Sequence, residues 1–194
     1  MTRAWTFCLQ VAPLLLVGCG ASSQAPTPAV DASVPSDSVT ATCPGAPDFS
    51  SASTCNSVVN DATAVGFTVG AGDPPTFTGG TISDGVYHAS KAEAWGTSTG
   101  TGRRMTIVVL EGGTKFYYSG DVLDAQGGVA TTLVAITTAW TSGNQLNQTT
   151  ACLTGSAQIP AVENYTATST ELILSTSQGS VVSATTYARA GCPQ

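Results

Sequence analysis

Residues 103–123 read RRMTIVVLEGGTKFYYSGDVL, and the fold turns on how this stretch divides. Successive side chains of an extended strand point to opposite faces. Met105, Ile107 and Val109 therefore share one face, with Arg104 and Thr106 on the other. After EGG at 111–113 the alternation resumes, with Phe116, Tyr118 and Val122 opposing Lys115, Tyr117 and Asp121. Two alternating runs around a Gly-rich turn predict a β-hairpin.

The same pattern extends in both directions. Turn signals recur at GTSTGTG (96–102), AQGG (125–128), SGN (142–144), ATST (167–170) and QG (178–179), separated by runs rich in Val, Ile, Thr, Tyr and Trp. These runs predict strands near 85–95, 103–111, 114–123, 129–141, 145–153, 163–168, 171–177 and 180–189. No proline falls between Pro75 and Pro160, which leaves every backbone amide free to donate to a ladder. Leu172 and Leu174 oppose Glu171 and Ser175. In 129–141 the division is less clean, because Leu133 and Val134 fall on opposite faces: either both faces are covered or the register slips. Helical periodicity is confined to Asn56–Ala62. The expected class is all-β, an eight-stranded antiparallel up-and-down barrel, since closure removes the two sheet edges. An open β-sandwich is the alternative. A barrel of this size either fills with side chains or holds one small ligand.

The opening GGTISDGVYHAS (79–90) and the closing YTATSTELILSTSQGSVVSATTYARA (165–190) resemble the first and last strands of lipocalin-like, calycin-type barrels. That family carries Gly-x-Trp on its first strand, packed beneath an Arg near the end of the last. Gly85-Val86-Tyr87 and Arg189 occupy those places here, with Tyr for the family's Trp. The resemblance implies that Tyr87 and Arg189 close one barrel end through a cation–π contact.

The first eighteen residues have the layout of an export signal: Arg3, then a stretch from Trp5 to Val17 that is apolar apart from Thr6 and Gln10. It is too short to span a bilayer, which takes about 20 apolar residues. Leu16-Val17-Gly18-Cys19 resembles the lipobox of bacterial lipoproteins. By that resemblance Cys19 receives a diacylglycerol and becomes the mature N-terminus, each buried CH₂ contributing about 0.8 kcal/mol to membrane retention. The implied location is the cell envelope, and the outer membrane in a Gram-negative organism, since Gly20 follows the Cys rather than an Asp. Residues 20–42, GASSQAPTPAVDASVPSDSVTAT, contain no Lys, Arg or aromatic residue. Such a stretch buries too little to offset its ordering entropy and should serve as a disordered tether. The expected organisation is a signal (1–18), lipidated Cys19 and linker (19–42), a disulfide-clipped segment (43–78) and the barrel (79–194).

Cys8 leaves with the signal and Cys19 carries lipid, so Cys43, Cys55, Cys152 and Cys192 remain. An even number in an oxidising compartment reads as two disulfides, with three connectivities open. The expected pairing is Cys43–Cys55 as a local clip and Cys152–Cys192 as a long-range staple. No Cys pair has zinc-site spacing and His88 is the only histidine, so no metal and no other cofactor is expected.

Charge narrows the partners. With 12 acidic residues against 6 Lys and Arg, the chain lacks the basic stripe that nucleic acid requires. A catalytic relay would have to run through His88 with Asp84 or Glu93, and no G-x-S-x-G elbow accompanies it. Asp121 and Asp124 read as turn residues rather than an acid–base pair. Gly96, Gly100 and Gly102 connect two strands, without the helix a phosphate cradle needs. The chain is therefore not expected to be an enzyme. Tyr87, Trp95, Phe116, Tyr118 and Trp140 are the candidate lining of a pocket for a small apolar ligand, or else a filled core. The expected role is a membrane-anchored envelope module that binds a small ligand or an envelope protein; the alternative is a structural lipoprotein acting through its outer surface.

Overall fold

The computed structural model describes residue 43 and residues 46–96 and 101–194; the expected signal, Cys19 and the linker to residue 42 lie outside the described residues. Three short strands come first: β1 (Ser50–Ser51), β2 (Cys55–Asn56) and β3 (Phe67–Val69). Eight longer ones follow: β4 (Gly85–Trp95), β5 (Gly102–Leu110), β6 (Lys115–Leu123), β7 (Val129–Ser142), β8 (Gln145–Gly155), β9 (Val162–Ala167), β10 (Glu171–Gln178) and β11 (Val181–Gly191). Each of β4 to β11 pairs antiparallel with the next, and β11 pairs back with β4 from Val182↔Trp95 to Gly191↔Val86. The result is a closed, eight-stranded up-and-down barrel with β3 as an extra strand parallel to β4, not an open sandwich. No helix occurs among the described residues, and after Asn56 at the end of β2, residues 57–62 have no regular secondary structure.

Turn chemistry sets the meander. Ser142↔Gln145 and Gln178↔Val181 each enclose a two-residue turn. Its first residue, Gly143 or Gly179, has φ near +60°, the left-handed conformation that such hairpins need and that glycine adopts freely.

Alternation builds the core. Met105, Ile107, Val109, Phe116, Tyr118, Leu172 and Leu174 point inward as their spacing predicts and are all buried. In β7 the odd residues Leu133, Ala135, Thr137 and Ala139 are buried too, so the alternation holds through the middle of the strand, while its ladders shift register at Ala130 and, on the β8 side, at Ala151. Ile136 points outward, and it is buried as well. The outer wall of β5–β7 is covered by residues 46–60, where Val58 and Phe49 pack on Val108, Leu110, Tyr117 and Ile136. Phe49 meets Tyr117 edge to face at 5.7 Å. Asn56 pins this strap, its amide donating to the carbonyls of Tyr118 (2.9 Å) and Ala135 (2.8 Å).

Both disulfides fasten the strap, and they correct the expected pairing. Cys43 is bonded to Cys192 and Cys55 to Cys152, with Cα separations of 5.4 and 5.6 Å. The proximity of Cys43 and Cys55 in sequence suggested a local clip. The strap instead lays Cys55 against the outward side of β8, while Cys43 meets the end of β11.

The two barrel ends differ. At one end Ile82 plugs the interior, and the Tyr165 hydroxyl donates to the Gly80 carbonyl (2.9 Å). Cys43 and Cys192 lie beyond β11 at this closed end. At the other end β4 and β5 part after the His88↔Thr106 pair. β3 fills the gap beside Ala92–Ala94, and Val65 exchanges backbone hydrogen bonds with Arg103 (2.7 and 2.9 Å). This end forms the mouth.

Candidate ligand site at the barrel mouth

The five aromatics expected to line a pocket do not form one. Tyr87, Phe116 and Tyr118 are inside, but they are packed core, with Phe116 and Tyr118 stacked at 6.0 Å between centroids. Trp95 and Trp140 are outside. Trp95 shares the face of Glu93, its pairing partner Val182 following Ala184 by the strand period; its ring lies against Gly70 of the β3 region. The skipped Ser90 between the Ala89↔Tyr187 and Lys91↔Thr186 pairs reverses the facing of the last residues of β4. Trp140 is on the outer face of β7 and is 55% exposed.

The closed end is built around Arg189, though not by a cation–π contact. Arg189 stands opposite Tyr87 in the β11–β4 ladder, but its Nε and Nη2 donate to the carbonyl oxygen of Asp84 (3.1 and 2.6 Å). The Tyr87 hydroxyl donates to the Ser83 carbonyl (2.7 Å). Among the described residues, the cation that lies over a ring is Lys115, 5.4 Å from the centroid of Tyr117.

The residues considered for catalysis are dispersed. The Asp84 carboxylate accepts from the backbone N–H groups of Gly112 and Gly113 in the β5–β6 turn (2.8 and 3.2 Å). Glu93 pairs with Lys91 (2.8 Å). His88 does meet a carboxylate, that of Asp61, with Nε2 3.0 Å from Oδ1. The Thr106 hydroxyl is 3.2 Å from that oxygen and equally 3.2 Å from Asn60 Oδ1, so its proton is shared between the two acceptors. Asp124 Oδ1 accepts from Gln126 and Gly128 as a turn residue does, whereas Asp121 is in β6, paired with Arg104 (2.5 Å). Gly100 lies outside the described residues. Among the described residues no cluster of His, Cys, Asp and Glu is arranged to hold a metal ion.

What the barrel does contain is a polar cavity of about 350 Å³ at the mouth, with Arg103, Glu163, Thr176, Ser183, Thr185 and Tyr187 among its walls. Arg103 points inward because it is in phase with Met105 and Ile107; Glu163 does so because it is in phase with Tyr165. A hydrogen-bonded chain behind the cavity sets the geometry of Glu163. The Tyr118 and Thr137 hydroxyls both donate to Gln148 Oε1 (2.7 and 2.8 Å), which turns Gln148 Nε2 toward Glu163 Oε2 (2.8 Å). Burial pushes the Glu163 carboxyl up to about 7, against the opposing pull of Arg103 and the Gln148 hydrogen bond. Burial likewise raises the Tyr187 phenol to about 12 and holds the Tyr118 phenol well above its ordinary value. No ion pair joins Arg103 and Glu163, so the two face the cavity as separate groups.

Sequence reasoning followed the aromatics and passed over Arg103, Gln148, Glu163 and Tyr187. The signal was present: a charged residue in step with the apolar face of a strand belongs inside, and an inward charge needs a partner or a ligand. Against known protein families, curated proteins and solved structures, the chain gives no match.

Proposed function

We propose that this chain is a lipid-anchored cell-envelope protein with a lipocalin-like barrel, and that it binds a small ligand in the mouth of that barrel. One observation carries the reading: Arg103 and Glu163 are turned into the same cavity without being paired to each other. Inward charges at a barrel mouth are costly to desolvate and add nothing to packing, so a polar ligand is their natural complement. The ligand is then polar, not the apolar one that the aromatic residues suggested. Since Cys43 is tied to Cys192, the chain enters the domain at the closed end.

Native mass spectrometry tests this on the Cys19→Ala chain exported to an oxidising compartment. A discrete adduct, lost on denaturation and absent from a cavity-filling Thr185→Trp variant, is expected. Bare protein from both variants, after incubation with envelope extract, would remove the reading.

A second reading, a structural lipoprotein acting through its surface, draws on Trp140. This indole is exposed on the outer wall opposite Asn147. Trp140→Ala should then weaken association with an envelope partner while leaving the mouth adduct intact.

A further inference from the structure

Resting on the reading of the mouth as a ligand site, we propose that the cavity takes a small zwitterion, a free amino acid or dipeptide, with its carboxylate on Arg103 and its ammonium on Glu163. Three features lead to this class. First, the Arg103 side chain makes no hydrogen bond to a described residue and has no carboxylate within 4 Å, so its planar donor fork is available for a ligand carboxylate. Its backbone N–H and C=O are both bonded to Val65 on one side, and it pairs with Val122 of β6 on the other.

Second, Glu163 is presented as an acceptor. Gln148 Oε1 accepts from two hydroxyls, and its Nε2 donates to Glu163 Oε2. Oε1 of Glu163 accepts from no described residue, and Glu163 is one of the residues lining the cavity. It therefore opens on the cavity, ready for a donor. Third, the remaining walls supply hydroxyls from Thr176, Ser183 and Thr185, and the volume of about 350 Å³ lies at the small end for ligand sites. A purely anionic ligand would leave Glu163 facing it unpaired, and a purely cationic one would do the same to Arg103. An apolar ligand would strand both.

The groups that face Glu163 from the neighbouring strands are Arg103 on β5, Tyr118 on β6, Gln148 on β8 and Tyr187 on β11. Both phenols are held neutral by their raised pKa, so Glu163 is the group that titrates near neutrality. A ligand ammonium requires its carboxylate form, and binding should weaken as pH falls below about 7.

The test uses the exported Cys19→Ala chain, incubated with a mixture of the twenty free amino acids and glycylglycine and examined by native mass spectrometry and calorimetry. The same mixture after N-acetylation, and again after amidation, serves as comparison. At least one free zwitterion should bind, its N-acetyl and amide forms at least tenfold more weakly. Arg103→Gln should erase the penalty for amidation and Glu163→Gln the penalty for acetylation, with thermal melts confirming that each variant folds. Affinity for the zwitterion should fall about fivefold between pH 7 and pH 6, because the ionised fraction of Glu163 drops from about one half to about one eleventh. Equal binding of all three forms, or no binding of any, overturns the zwitterion assignment. An adduct of other chemistry from envelope extract, displaced by Thr185→Trp, overturns the ligand class alone and leaves the mouth as a binding site; absence of every adduct removes both.

Discussion

Arg189, near the end of the last strand, donates two hydrogen bonds to the carbonyl oxygen of Asp84, the residue before the first barrel strand begins. The Asp84 carboxylate meanwhile holds the β5–β6 turn through Gly112 and Gly113. Three separate pieces of chain are thus gathered on one residue, and the space for this is made by Gly85. A Cβ there would stand 2.7 Å from Arg189 Nε and 2.9 Å from the Gly191 carbonyl oxygen. Gly85→Ala should cost about 1–3 kcal/mol by overpacking. Thermal melts check this, and a double variant with Arg189→Ala should show non-additive loss, since part of the clash is with the guanidinium.

The disulfide connectivity is directly measurable. Peptide mapping of the unreduced protein should recover Cys43 linked to Cys192 and Cys55 linked to Cys152. A Cys43–Cys55 peptide would contradict the strap geometry. Removing the Cys55–Cys152 bridge, which spans 97 residues, should cost about 2–5 kcal/mol in denaturant unfolding.

Asn56 is buried, its amide donating to two barrel carbonyls and accepting from the Val58 N–H, so Asn56→Ala removes three hydrogen bonds at once. A loss of about 2–3 kcal/mol is expected, the sum of these buried hydrogen bonds discounted for the alternative partners that carbonyls already have in their ladder. Hydrogen exchange should show the strap opening before the barrel; uniform loss of protection across β4–β11 would show that the strap and barrel unfold as one.

Glu163 gives the fold a pH signature. Its pKa rises from 4.5 in the unfolded chain to about 7 in the fold, so the folded state holds the proton more tightly. The resulting stabilisation is fully present below pH 4.5 and is lost as pH rises through 7. Its upper limit is about 3 kcal/mol, since each tenfold gain in proton affinity is worth about 1.4 kcal/mol, and solvent reaching the cavity reduces it. Glu163→Gln should flatten this part of the stability–pH curve in urea titrations. An unchanged curve would place the carboxyl in water.

For the proposed anchor, Cys19→Ala should release the folded protein into the aqueous fraction of the envelope. Fractionation followed by immunoblotting checks this, and persistent membrane retention would argue against lipidation.

Most of the barrel was legible in the chain because strand alternation and Gly-bearing turns are local: Met105, Ile107 and Val109 show their common face, and SGN and QG show where the chain reverses. The mixed pattern of β7 left two readings open, cover on both faces or a slipped register, and what covers its outer side was not legible. That cover comes from Val58 and Phe49, about 75–90 residues away in sequence, and no local rule reports it. The same distance hid the disulfide pairing, since spacing favoured Cys43 with Cys55 while the strap's path decides otherwise. Trp95 was misplaced by one skipped residue, Ser90, which turns the end of β4 over. The mouth site was half visible, in that Arg103 and Glu163 stand in phase with apolar neighbours. By itself the sequence determined which residues alternate, where the turns fall and that the sheet had edges to remove. Only closure of β11 on β4 decided that Arg103 and Glu163, far apart along the chain, face one cavity, because proximity across a barrel depends on strand number and register together.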